Sequence, residues 1–247
     1  MNFSERNKII SQIKEESLKT KLKAYEIQKS LSEESELISA WKVGGTTKST
    51  QQAFKTESSY LGPINKNNFF YKKKEIFLPD SLKNPQGELE IAFRLSEDVE
   101  NITLEKSCFK ALDFFDLIAP AIEIPYSSKN FPESGLYFLI ADCCASGFLI
   151  LGRETKLSEE IFKKRLKVTI DRIPQEIGDS ENFAFSIEGV LYDILLESKK
   201  YSLGLRKGHW VSSGGISKLI ELPIDEHFQL SSNFSVSNKI TINKNGK

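Results

Sequence analysis

Glu88 and Glu90 stand two residues apart in Glu88-Leu89-Glu90-Ile91-Ala92-Phe93-Arg94-Leu95, a strictly alternating run. A period of two marks a β-strand with one buried face and sends both carboxylates to the same side. Leu89, Ile91, Phe93 and Leu95 take the opposite side, which must be the buried one. Taken alone, two such glutamates are usually solvated, because Glu is seldom buried. Glu123 is different. It is the one charged residue in Ala119-Pro120-Ala121-Ile122-Glu123-Ile124-Pro125, and a carboxylate in an apolar strand needs a cation, a hydrogen-bond partner or water. An ion pair meets that need, and so does a metal. Three carboxylates converging on one point suit a hard, oxygen-loving ion such as Mg²⁺ or Mn²⁺. Without a cation, each pair at ~4 Å repels by about 4 kcal/mol at an effective dielectric of 20. Mg²⁺ is six-coordinate, so three protein oxygens leave about three positions for water or a chelating substrate.

Other chemistries have less to work with. The chain holds only two histidines, His209 and His227, which disfavours a His-rich zinc site and leaves few partners for a Ser-His-Asp triad. The three cysteines, Cys108, Cys143 and Cys144, contain no CxxC pair, so neither a disulfide framework nor a structural zinc site is indicated. They read as small buried thiols in a reducing compartment. Thirty-four Lys+Arg balance 34 Asp+Glu, so no global field draws nucleic acid or an anionic membrane. The charged start MNFSERNKII lacks an apolar core of the signal-peptide kind. Gly135 to Gly152 is marginally long enough to span a bilayer, but Asp142 sits at its centre and small polar residues split it. It reads as two buried strands, 136–141 and 147–152, joined by a tight turn. The expectation is a cytoplasmic protein that binds neither nucleic acid nor membrane.

The elements that must carry the carboxylates follow from periodicity. Residues 3–39 carry helical signals, and a further short helix is expected near Thr50 to Lys55. Beyond residue 75 strands dominate: 88–95, 121–125, 136–141, 147–152, 166–173, 209–213, 216–222, 227–234 and 238–243. Ser107 to Ile118, with Phe109, Leu112, Phe115 and Ile118 as a stripe, and Ile187 to Lys200 read as helices. The fold class is α+β: a single domain over 1–247, helical in 1–65 and a mixed β-rich core in 66–247.

Six short motifs in order resemble the hydratase/decarboxylase branch of the fumarylacetoacetate hydrolase superfamily, typified by 2-keto-4-pentenoate hydratase and 4-oxalocrotonate decarboxylase. Ala24-Tyr25-Glu26-Ile27-Gln28 looks like A-Y-x-I-Q, and Lys42-Val43-Gly44-Gly45-Thr46 looks like K-x-G-x-T. Glu88-Leu89-Glu90-Ile91-Ala92 looks like the metal-binding E-x-E-I-A, and Pro120-Ala121-Ile122-Glu123-Ile124 looks like the motif supplying the third ligand. Ala141-Asp142 with Gly147 looks like A-D-N-x-x-x-G, and Ser213-Gly214 stands where the family has T-G. The resemblance covers roughly residues 20–243. It implies a mixed, highly twisted β-sheet fold, a homo-oligomer, and a Mg²⁺ or Mn²⁺ held by Glu88, Glu90 and Glu123. It implies a 2-oxo acid substrate whose enolate the metal stabilises. By the same match Lys42 is a proton carrier or carboxylate partner, with a pKa lowered by the metal, and Ser213 with Gly214 grips the substrate carboxylate.

The departures are as informative. Tyr60 takes the position of a catalytic Asp in Ser59-Tyr60-Leu61-Gly62. With an ordinary pKa near 10, a phenol is no carboxylate base, but it can donate a proton or orient water. Cys143 replaces the Asn of A-D-N beside the substrate, Ser213 replaces Thr, Gln86 replaces an Arg, and His209 an Asp. The metal ligands look intact while their surroundings are altered. The expectation is a metal-dependent hydro-lyase or carboxy-lyase; the alternative is a catalytically impaired relative serving as a small-molecule-binding or oligomeric scaffold protein.

Overall fold

The computed structural model describes residues 3–14, 17–32, 37–79, 82, 84–104, 109–127, 133–236 and 238–244. Two helices, α1 (Phe3–Gln12) and α2 (Lys21–Leu31), precede a hairpin of β1 (Ile38–Gly44) and β2 (Tyr60–Asn65), between which lies α3 (Lys48–Phe54). Then come β3 (Phe69–Phe70), β4 (Glu75–Leu78) and the two longest strands, β5 (Gln86–Leu95) and β6 (Phe115–Ile124). The short helix α4 (Leu136–Ala141) leads to β7 (Phe148–Leu151), β8 (Thr155–Lys156), α5 (Glu159–Phe162), β9 (Lys167–Ile170) and β10 (Ile177–Asp179). Helix α6 (Ile187–Lys200) is followed by β11 (Trp210–Ser212), β12 (Ile220–Glu221), β13 (His227–Ser232) and β14 (Asn238–Lys244).

Nine strands form one mixed sheet, with central order β2-β1-β11-β5-β6-β7-β3 and with β12 and β8 extending β5 and β6. Five form a second, β10-β9-β13-β14-β4, packed against β5 and β6. The alternation of β5 decides which face does what. Leu89, Ile91, Phe93 and Leu95 are buried toward the second sheet, where the Cα of Gly178 sits close against Leu89. Glu88 and Glu90 leave the other face, beside Ala92, Ala119 and Ala121. Helix α6 forms as its pattern predicts: the Ser186 hydroxyl caps the Gly189 N–H, Glu188 and Lys199-Lys200 complement the dipole, and Val190, Leu191, Ile194 and Leu195 are buried.

Several expectations are overturned. The helical pattern of 3–39 is two helices, and from Ile38 the chain is already β1, so the first 65 residues also supply two strands. Residues 111–114 form one 3₁₀ turn and 115–124 one long strand, because a largely apolar stretch central in a sheet is buried on both faces and mimics a helical stripe. Residues 136–141 are α4, not a strand: a six-residue apolar run carries no usable period. Residues 216–222 pair only at Ile220–Glu221. The tight turn expected between 141 and 147 is present, and it is left-handed: Cys143, Cys144 and Ala145 all have φ between 50° and 56°. Cys108 lies outside the described residues.

Candidate metal centre

The register of β5 and β6 builds the site. Glu88 is paired directly with Glu123 across the two strands, and Glu90 with Ala121, so three acidic side chains share one patch of sheet. One carboxylate oxygen from each of Glu88, Glu90 and Glu123 lies within 4.8 Å of the others. Glu90 and Glu123 are 0% exposed, and none of their four oxygens has a well-aligned hydrogen-bond donor. Only Glu88 is partly open, lying against the backbone of Gly215, where a Cβ would come within 2.6–2.9 Å of the carboxylate. Burying such a group without a partner costs several kcal/mol. The donor set is therefore one that a hard divalent cation fits: all carboxylate oxygen, converging, and with the Lys42 ammonium beside Glu123 as its one close counter-charge.

The protonation pattern reflects the same crowding. Burial pushes the Glu90 carboxyl well above its ordinary range, and Glu123 and Glu88 add to the effect. Burial raises Glu123 to about 7 against the pull of Lys42, and raises Glu88 as well. Lys42, on β1, is 8% exposed and places Nζ 3.0 Å from Oε2 of Glu123. Burial alone would depress its pKa, but Glu123, Glu88 and Glu90 together hold it above the ordinary lysine value. The depressed lysine expected beside a metal is thus reversed where the carboxylates act alone; a dication among them inverts the sign.

Tyr60, at the start of β2, lies across Gly44 and Gly45. A Cβ at Gly44 would sit 2.3 Å from Cε2 and 2.7 Å from the hydroxyl of Tyr60, so glycine is what lets the ring approach. Phe54 at the end of α3 meets that ring edge-on at 5.8 Å. Burial above all, with Glu88 nearby, keeps the phenol protonated far above neutrality. The neighbouring Leu61 is tied to α2 at both backbone groups: its N–H donates to the Tyr25 hydroxyl (3.0 Å) and its carbonyl accepts from Gln28 (2.8 Å). Those are the tyrosine and glutamine of the A-Y-x-I-Q motif, which is thereby a brace for the strand that carries Tyr60.

The Ser213 N–H donates to the Ile91 carbonyl (2.8 Å), its hydroxyl accepts from the Ile91 N–H (3.0 Å) and donates to the Gly214 carbonyl (3.0 Å). Gly214, at φ +84°, is pressed against Thr46, whose hydroxyl donates to the Ser213 carbonyl at 2.7 Å. The structure brings Glu88, Glu90, Glu123 and Lys42 together, with Tyr60 close enough to feel the Glu88 charge. Cys143 goes elsewhere: it lines a cavity of about 420 Å³ with Arg6, Pro63 and Ser146. Its thiol is held up at about 11, mainly by burial. Cys144 is the thiol turned inward, 3.7 Å from Gln28 Nε2. Two further neighbours join the site: Ser212, which has no local signature in the sequence, and Gly147, the glycine of the A-D-N-x-x-x-G match. Ser212, buried and without a well-formed hydrogen bond, is turned toward Glu90, and the Gly147 N–H toward Glu123.

No protein-family model and no curated protein matches the sequence. Solved structures do. The chain is similar to 4-oxalocrotonate decarboxylase from Pseudomonas putida G7, complexed with magnesium and adipate, at a TM-score of 0.75 and 17% identity over 90% of this chain and 86% of that one. It is similar to 5-carboxymethyl-2-hydroxymuconate delta-isomerase from Mycobacterium smegmatis (TM-score 0.61, 12% identity, 85% and 81% of the two chains). It is also similar to fumarylpyruvate hydrolase from Pseudomonas aeruginosa in complex with Mn²⁺ and pyruvate (TM-score 0.60, 10% identity, 83% and 89%). What this chain shares with these solved structures is the fold. Within that fold the neighbours include a lyase, an isomerase and a hydrolase, at identities that establish architecture and not reaction. Among the described residues, no helix is long and apolar enough to cross a membrane.

Proposed function

We propose that the protein is a divalent-metal-dependent enzyme acting on a small 2-oxo acid through its enolate. The observation that carries this reading is the convergence of Glu88, Glu90 and Glu123 within 4.8 Å, with two of the three carboxylates sealed from water. When bound there, Mg²⁺ or Mn²⁺ supplies a Lewis acid for the carboxylate and 2-oxo oxygens and a fixed charge beside the developing enolate. Metal-bound relatives of the same fold, one of them with pyruvate, support that choice of ion and of substrate class.

The chain's own residues do the rest. Lys42, charged and buried beside Glu123, attracts the substrate carboxylate and relays protons. The Ser213 N–H and hydroxyl are already committed, so holding the substrate carboxylate on that side falls to Gly214. Tyr60 stays protonated, so it serves as a hydrogen-bond or proton donor and not as the base that activates water. That supports loss of CO₂ over addition of water. Decarboxylation breaks a C–C bond, leaves its electron pair in the enolate and then needs a proton delivered to carbon, whereas hydration needs a base to activate water.

The test is turnover of a panel of 2-oxo and 2-hydroxydienoic acids with and without Mg²⁺. Metal-dependent CO₂ release is expected, and metal-independent inertness toward the whole panel overturns the reading. Binding of metal and oxo acid without turnover identifies the scaffold alternative.

A further inference from the structure

Helix α1 is far from the carboxylates in sequence, yet its side chains converge where β6 ends and β7 begins. Arg6 is 6% exposed. Its Nε lies 3.0 Å from Oδ1 of the fully buried Asp142, its Nη1 donates to the Ser146 carbonyl (2.6 Å), and its Nη2 donates to the Tyr126 carbonyl. One guanidinium therefore fastens two segments: Tyr126, three residues beyond Glu123, and Ser146, at the end of the left-handed Cys143–Ala145 turn. The segments are also tied to each other, because the Tyr126 N–H donates to the Ala145 carbonyl at 2.8 Å. Phe3 stacks on Tyr126 at 4.0 Å and meets Phe148 edge-on at 5.3 Å, and Asn7 donates to the Tyr126 hydroxyl.

What these contacts hold is the backbone around a metal ligand. Ile124 pairs with Phe148, and Glu123 with Leu149. Between them Gly147 lies so close to β6 that a Cβ there would stand 2.2 Å from the Ile124 carbonyl oxygen. We propose that Arg6 is a positioning residue for the metal centre: by locking the 142–147 turn onto the end of β6, α1 fixes the placement of Glu123. The inference rests on the metal-site reading above.

The experiment measures Mn²⁺ affinity and the electron paramagnetic resonance spectrum of bound Mn²⁺ for the full-length protein. The set is wild type, Arg6→Lys, which keeps the charge but loses the fork, and Ile242→Ala, which opens the core of the second sheet. Arg6→Lys is expected to bind Mn²⁺ at least tenfold more weakly with an altered spectrum, while Ile242→Ala, although destabilised, binds as wild type does. Affinity within twofold of wild type for Arg6→Lys, or an equal loss in Ile242→Ala, overturns the inference and leaves the metal site standing. No Mn²⁺ binding by wild type overturns both. If Arg6→Lys does not fold, Phe3→Leu decides: a two- to fivefold loss of affinity supports the proposal and none overturns it.

Discussion

Lys42 Nζ lies 3.0 Å from Oε2 of Glu123, both side chains almost wholly buried, so the carboxylate cluster carries its own partial counter-charge. One ammonium among three carboxylates leaves two negative charges uncompensated when all are ionised, which is the charge of one divalent ion. The apo protein and the metal-loaded protein should therefore answer pH in opposite ways.

In the apo protein the Glu123 carboxyl is raised to about 7 from an ordinary 4.5, and burial raises Glu90 in the same direction. A raised carboxyl favours the folded state below its unfolded pKa, and that contribution is lost as pH climbs through the folded value. For Glu123 alone the loss is on the order of 3 kcal/mol. His209, lowered mainly by burial, works the other way on the acid side of its ordinary value. Because His209 is present in both states, the decisive quantity is the Tm difference between saturating Mg²⁺ and EDTA. It should be small at pH 5 and grow steadily to pH 8. A difference independent of pH would contradict the account.

Replacing Glu90 with Gln removes a buried charge that neighbouring carboxylates oppose. In EDTA at pH 8 the variant should be as stable as wild type or up to about 2 kcal/mol more stable in chemical denaturation. Stabilisation by metal, which follows from mass action, should vanish. Loss of stability in EDTA together with retained metal stabilisation would show that Glu90 is not a ligand.

Tyr60→Phe keeps the ring and the packing on Gly44 while deleting the donor. Turnover should fall by about 10²–10³, as for loss of a general acid, with Mn²⁺ affinity unchanged. Unchanged turnover would remove the phenol from the reaction.

Two glycines give a steric test. At Gly62 a Cβ would lie 2.0 Å from the Cys143 carbonyl oxygen, a backbone atom that cannot move aside. At Gly204, φ is +78° but nothing stands within 4 Å. Gly62→Ala should cost more than about 3 kcal/mol or prevent folding, and Gly204→Ala only about 1 kcal/mol, from φ alone. Equal effects in urea titrations would argue against the close approach of β2 to the left-handed turn.

The parts legible in the sequence were those with a local signature. The alternation of 88–95 announced both the strand and the shared face of its glutamates, and the stripe and caps of 187–200 announced α6. Glu123 stood out as an isolated charge in an apolar run. What stayed hidden depends on partners distant in the chain. Whether 136–141 is strand or helix is decided by α2 packing over it, not by its own period. Arg6 looks like any helix-surface arginine until Asp142 and two carbonyls close around it. Cys143 and Cys144 could not be told apart, since a left-handed turn and not strand alternation decides which thiol faces inward.

Glu88 is the one member of the trio that water reaches. Its carboxylate lies so close to the backbone of Gly215 that a Cβ there would stand 2.6–2.9 Å from it. Even a methyl group added at position 215 would therefore push aside the one carboxylate of the three that meets solvent.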